Sequence, residues 1–423
     1  MKYLFVILAV TLLTRTTEAQ FNKYFENKTL RLDYYHCGNA QSEQFFFDEL
    51  IEEPFWGGTK TNLVDTKGYG NHFMEVRTAD ANKLIYSYGY CTLFGEWQTT
   101  PEAKTTDSCY PESVVMPFPR EKVVVSITSR NRKGVFEKKF EYMVDPKSYA
   151  IKKESKKLPV FDVVNSGDPA KKVDIVLLPE GYTSDQKDLF VAACESFTND
   201  FFSYAPFSEH KNKFNIRGVW APSNDAGPDI PGDNVWKETC MNASFYTFGS
   251  ERYLMVNDFQ GIRDVAGNAP YDYVYILANT DKYGGGAIYN FYGISAAHHV
   301  DKTGKIYIHE FGHLFAGLGD EYVGGVEYSD FYPTDVEPWE PNLTTLVDFD
   351  GKWKNSLPEG TAIPTPVKHE NREKLGVYEG GGYVSKGIYR PWINCLMNNL
   401  HTIDVFCPVC TETLQEVIDF QCD

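Results

Sequence analysis

The chain has 423 residues, and its 41 Lys and Arg against 58 Asp and Glu give a formal net charge of −17. That balance opposes binding to nucleic acid or to an anionic membrane surface, both of which need a basic patch. Beyond the N-terminus no apolar stretch approaches the ~20 residues that cross a bilayer, so no stable membrane insertion is expected. The length suits two or three domains, each with enough chain for a sizeable core.

In chain order, Lys2, an apolar run from Tyr3 to Leu13 and the polar residues ending at Ala19 predict a signal peptide over 1–19. Its consequence is export: a secreted, periplasmic or cell-surface protein in which disulfides are permitted. Residues 20 to about 150 read as β. TLRLDYY, NHFMEVR, KLIYSYGY, VVVSITSR and VFEKKFEYMV are short runs rich in β-branched and aromatic residues. The last two flank Asn131-Arg132-Lys133-Gly134, a hairpin loop with glycine in its final position. Such spacing predicts a β-sandwich of structural or adhesive role. No catalytic constellation stands out there, and His36 and His72 read as ordinary histidines.

The charged stretch YAIKKESKKLP marks a linker, and a second domain is expected over 155–423, able to fold alone. VDIVLLPEGY predicts a buried strand, followed by a helix from about Gln186 to Tyr204. FNIRGVWA and YDYVYILAN predict further strands, giving an α/β order with a mixed sheet and an α+β chain as a whole. Asp225, Asp229 and Asp233 offer a possible structural calcium (Ca2+) site, against the commoner reading of a solvated loop.

The most informative segment is HEFGHLFAGLGDEY, positions 309–322. On a helix His309 and His313 project from one face, one turn apart, and both can bind one zinc ion (Zn2+). Glu310 beside them is placed to act as a general base. The bland reading is a helix with two ordinary histidines. Against it, Gly317 and Gly319 end the helix at once and put Asp320 and Glu321 within reach of the same metal.

Downstream come EGGGYVSKGIYRPWINCLM, with Met397, and FCPVC; upstream lies YGGGAIYNFYG. Together with the helix motif and VDIVLLPEGYT, these segments resemble the IgA-peptidase family of secreted zinc metallopeptidases, which is metzincin-like. The resemblance covers essentially the whole mature chain. It implies a zinc-dependent endopeptidase with one catalytic ion. In metzincins a glycine ends the helix and the third ligand follows three residues later. Here the glycine falls one residue late and Asp320 stands where the third histidine would be, so the implied ligands are His309, His313 and Asp320, with Glu321 a competitor. The resemblance also implies a tight turn at Met397 beneath the metal. It places YGGGAIYNFY on an edge strand, where Gly285, Gly286 and Ala287 would contact an extended protein or peptide substrate. A flexible glycine loop is the alternative.

Tyr389 is a candidate to stabilise an oxyanion, with Tyr383 as the other, although a structural tyrosine is equally expected at each. The irregular stretch from Val323 to Ile388 is expected to wall the cleft, and the tail from FCPVC onward to form a helix. Of nine cysteines at least one is unpaired in a monomer. Cys407 and Cys410 form a lone CxxC, read as a disulfide or as buried thiols in preference to a zinc or redox site. A non-catalytic protein- or glycan-binding module and an aminopeptidase are the competing functions. Substrate identity and oligomeric state are left open.

Overall fold

The computed structural model describes residues 20–153, 157–298, 303–324, 332–400 and 402–422; the expected signal peptide, 1–19, lies outside them. Residues 20–153 hold eight strands: β1 (Phe25–Gly38), β2 (Glu43–Glu53), β3 (His72–Thr78), β4 (Leu84–Tyr90), β5 (Ser108–Pro119), β6 (Val123–Arg130), β7 (Phe136–Val144) and β8 (Lys152–Lys153). They form two four-stranded sheets, ordered β5-β1-β2-β8 and β4-β3-β6-β7. Alternate residues of both sheets, among them Leu30, Leu32, Val114, Met74, Val76, Val125 and Ile127, meet in one apolar cluster. The expected hairpin joins β6 to β7: Gly134 has φ +76°, and the Asn131 side chain accepts from the Lys133 and Val135 amides. Cys37 of β1 and Cys109 of β5 lie opposite each other and form a disulfide.

Alternation in β1 predicts a wet outer face, yet Thr29, Arg31 and Asp33 are buried. A short helix of the second region, α3 (Phe259–Ala266), meets Arg31, and Thr29 donates to the Phe55 carbonyl. Arg31 donates to Asp33 Oδ2 at 2.7 Å and to Asp264 Oδ1 at 2.8 Å, tying the sheet to that helix. Polar side chains that look solvent-facing in the sequence thus form a paired, buried network, the only form in which burial of charge is tolerable.

The second region is built on a six-stranded mixed sheet, ordered β13-β14-β12-β10-β11-β9. Its strands are β9 (Val160–Val164), β10 (Val173–Glu180), β11 (Phe214–Val219), β12 (Tyr273–Ala278), β13 (Gly285–Ile288) and β14 (Tyr292–Ala296). β10 runs parallel to β11 and β12 and is buried at every position, as an unbroken apolar run in a central parallel strand should be. One face carries α2 (Lys187–Phe201), α4 (Thr303–Ala316) and α5 (Pro408–Cys422). The other is covered by α3 and by α1 (Leu93–Trp97), which belongs to the N-terminal region. Leu93, Phe94, Trp97 and Tyr110 share a cluster with Val176, Leu178 and Ile276 of the sheet. The apolar core therefore crosses the expected linker. The glycine-rich segment gives a hairpin rather than a single strand, with β13 antiparallel to β14 at the sheet edge.

Helix α4 buries Tyr307, Ile308, Phe311, Leu314 and Phe315. It stops at Gly317, whose φ is +62° and whose amide donates to the His313 carbonyl at 3.1 Å. This is a left-handed C-cap. A Cβ at Gly317 would also stand 2.5 Å from the Trp339 ring, so only glycine fits the turn. The strands β15 (Tyr378–Gly381) and β16 (Val384–Arg390) form a separate hairpin beyond it. The proposed calcium loop gets no support: Asp225 accepts from the Glu238 amide and Asp229 from the Lys237 amide, so both carboxylates serve the loop's own backbone.

Candidate metal centre

One turn of α4 separates His309 from His313, and their rings converge at the mouth of a cleft. His309 Nδ1 lies 3.1 Å from the Leu396 carbonyl, and His313 Nδ1 is hydrogen-bonded to the Leu318 carbonyl. A carbonyl oxygen only accepts, so each Nδ1 carries the proton and each Nε2 presents a lone pair. The two Nε2 atoms are 3.1 Å apart. Asp320 Oδ1 is 3.1 Å from the first and 3.4 Å from the second, and makes no hydrogen bond. Ligand bonds of ~2.0–2.1 Å to a tetrahedral zinc ion would separate ligand atoms by about 3.3 Å. Three lone-pair atoms at these spacings repel unless a cation lies between them. The residues present therefore fit the metal that the motif implies, and the backbone carbonyls supply the outer support that ligating histidines usually have.

The turn at Gly317 delivers the carboxylate. Asn342, fully buried, donates to the Gly319 carbonyl at 2.8 Å and accepts from the Gly319 amide at 2.7 Å, which holds the irregular segment that follows the helix. Asp320 then faces the histidines, and Tyr383 donates a hydrogen bond to its other oxygen, Oδ2. Glu321 points the opposite way, away from the histidines and toward Asn342 and Cys410. Met397 lies under α4, where a Cβ on Gly312 would come within 3.1 Å of its sulfur. Its carbonyl accepts from the Glu321 amide at 2.8 Å, and the Asn398 and Asn399 amides close a tight turn onto the Cys395 carbonyl.

Glu310 lines the same cleft, of about 610 Å³, beside the three candidate ligands. Burial raises its carboxyl above the usual range. Gly285, Gly286 and Ala287 line the cleft from the β13 edge. Tyr383 lines it as well, whereas Tyr389 does not: it sits in β16, pairing with Thr344, and packs on the apolar cluster behind. The opposite wall was not visible in the sequence. Thr92, Gly95, Glu96 and Thr99 reach it from the N-terminal region, and the Tyr253 hydroxyl is hydrogen-bonded to Glu96. Burial pushes Glu96 up to about 7. No local motif marks α1 as a site element; only the tertiary contact across 157 residues does so.

Among the described residues no helix is long and apolar enough to cross a membrane. The family model for IgA Peptidase M64 matches residues 161–375 and 368–418, and that for the Peptidase M64 N-terminus matches residues 20–141. No curated protein matches the chain.

Proposed function

From its membership of the IgA peptidase M64 family, a family of metallopeptidases, we propose that this chain is an exported, zinc-dependent endopeptidase. The observation that carries the reading is the convergence of His309 Nε2, His313 Nε2 and Asp320 Oδ1 at tetrahedral spacings, beside Glu310 in an open cleft. A zinc ion held by His309, His313 and Asp320 would supply Lewis acidity for the scissile carbonyl and would lower the pKa of water to ~7.

The chain's own residues supply the remainder. Glu310 takes a proton from the attacking water and later gives it to the leaving amine, a role its raised carboxyl suits. The β13 edge accepts an extended peptide by backbone hydrogen bonding, and the missing side chains at Gly285 and Gly286 admit it closely. Tyr383, which lines the cleft as Tyr389 does not, spends its one hydroxyl proton on orienting Asp320. The two facing sheets support a β-sandwich over 20–150, and the mixed sheet, the α4 motif and the turn at Met397 support a metzincin-like catalytic region from about 155. The Cys37–Cys109 disulfide supports export, since such bonds persist in oxidising compartments.

The test is Glu310→Gln. Zinc content should be unchanged while cleavage of an internally quenched, end-blocked peptide falls by at least ~10²-fold. Full activity in that variant would assign the base elsewhere. Cleavage of free-ended peptides alone would favour an aminopeptidase.

A further inference from the structure

A second convergence lies behind the first. Cys395 precedes Met397 in the tight turn, Cys407 and Cys410 open helix α5, and Glu321 follows Asp320. All four are at most 1% exposed. Their ligand atoms lie within 4.8 Å of one another. The Cys395 and Cys410 sulfurs are 3.8 Å apart, and Glu321 Oε1 is 3.3 Å from Cys410 Sγ and 3.9 Å from Cys407 Sγ. A tetrahedral zinc ion with Zn–S bonds of ~2.3 Å and a Zn–O bond of ~2.0 Å would space its sulfurs by about 3.8 Å and sulfur from oxygen by about 3.5 Å.

We propose that Glu321, Cys395, Cys407 and Cys410 hold a second, structural zinc ion. Four protein ligands close the coordination sphere and leave no open position for substrate, which separates this site in kind from the first. Three sulfurs select zinc over magnesium or calcium. Two backbone amides already point at the sulfurs: Cys407 N–H at Cys395 Sγ, 3.3 Å, and Cys410 N–H at Cys407 Sγ, 3.5 Å. Glu321 Oε2 is buried without a hydrogen bond, and among the described residues no ion pair reaches this carboxylate. A Cys395–Cys410 disulfide would leave the Cys407 thiol and that carboxyl buried together, with Glu321 Oε2 still lacking a hydrogen bond. Zinc removes both difficulties: the three thiol protons leave to solvent on binding, and the ion takes the place of a counter-charge.

The site would fasten three segments that the first metal centre needs. Glu321 is next to Asp320, Cys395 lies one residue before Leu396, whose carbonyl orients His309, and α5 closes the assembly. This inference stands apart from the peptidase reading, because none of its ligands belongs to the first site.

The experiment counts metal on the full mature chain and on a His309→Ala/His313→Ala variant. About two zinc ions per chain are expected in the first and about one in the second. Exchanging cobalt into the histidine variant should produce thiolate-to-cobalt charge-transfer absorption, which imidazole and carboxylate ligands cannot give. That band should disappear in the same variant carrying Cys407→Ser. If the latter does not fold, the histidine variant alone decides. Retained metal with the thiolate band supports the site even where the peptidase reading fails. Loss of all metal from the histidine variant, or a disulfide from Cys395 to Cys407 or Cys410 in unreduced peptide maps, overturns it.

Discussion

Phe94→Ala is the sharpest test of whether the N-terminal region and the catalytic region are one folding unit. Phe94 is fully buried in α1, its ring 3.9 Å from that of His36, 5.6 Å from Trp97 and 5.8 Å from Tyr110. It belongs to the cluster that includes Val176, Leu178 and Ile276 of the catalytic sheet. Truncating a buried phenylalanine to alanine costs ~3–5 kcal/mol, from lost transfer energy and the cavity left behind. That is a large part of the ~5–15 kcal/mol by which folded domains are stable, and lowers the folded-to-unfolded ratio by roughly 10²–10⁴. Guanidinium unfolding followed by tryptophan fluorescence and, in parallel, by release of bound zinc to a chromogenic chelator reads both regions. Both midpoints should fall together. A zinc-release midpoint that stays put while the fluorescence midpoint shifts, or a total change below ~1 kcal/mol, would refute the shared core. On the same grounds a chain beginning near residue 155 should lack cooperative unfolding.

Gly317→Ala forces a positive φ at ~1–2 kcal/mol and drives a methyl into Trp339, so it should weaken zinc binding in chelator competition; unchanged affinity would mean that the turn does not place Asp320. Tyr383→Phe removes the hydrogen bond to Asp320 and should cost ~10–100-fold in metal affinity or activity, with Asp320→Ala costing more; an equal or reversed effect would contradict the ligand assignment. His72 is buried with Nε2 unpartnered, and burial, with the His36 charge second, lowers its pKa from 6.5 to about 4. Its neutral form therefore contributes stability that is present above 6.5 and lost as pH falls through about 4. His72→Gln should flatten stability over that window by up to about 3 kcal/mol, as read by urea unfolding at several pH values, and an unaltered acid limb would exclude the assignment.

Periodicity and local chemistry made much of this legible. The unbroken apolar run of β10, the His309–His313 spacing and the glycine stop at 317 are each local signals, and each specifies a local conformation. What stayed hidden depends on partners far along the chain. Arg31 and Asp33 alternate as surface residues do, and only packing of α3 reveals that they are buried. Tyr389 and Tyr383 are equivalent by composition, and their places in a two-stranded hairpin separate them, Tyr383 at its turn and Tyr389 within β16. Cys407 and Cys410 looked like an isolated pair because their companions arrive from a helix exit, Glu321, and from a turn 12 residues before Cys407, Cys395.

The reach of α1 into the cleft divides labour between two stretches of polypeptide. The chemistry rests on α4 and the turns around it, while one rim of the groove, Thr92 to Thr99, is supplied from more than two hundred residues upstream. A substitution on that rim, at Thr99 for example, lies outside the candidate ligand set and alters the wall that a bound peptide meets. Peptide preference in this scaffold can therefore drift, or be engineered, through the leading region while the metal-binding helix is held constant.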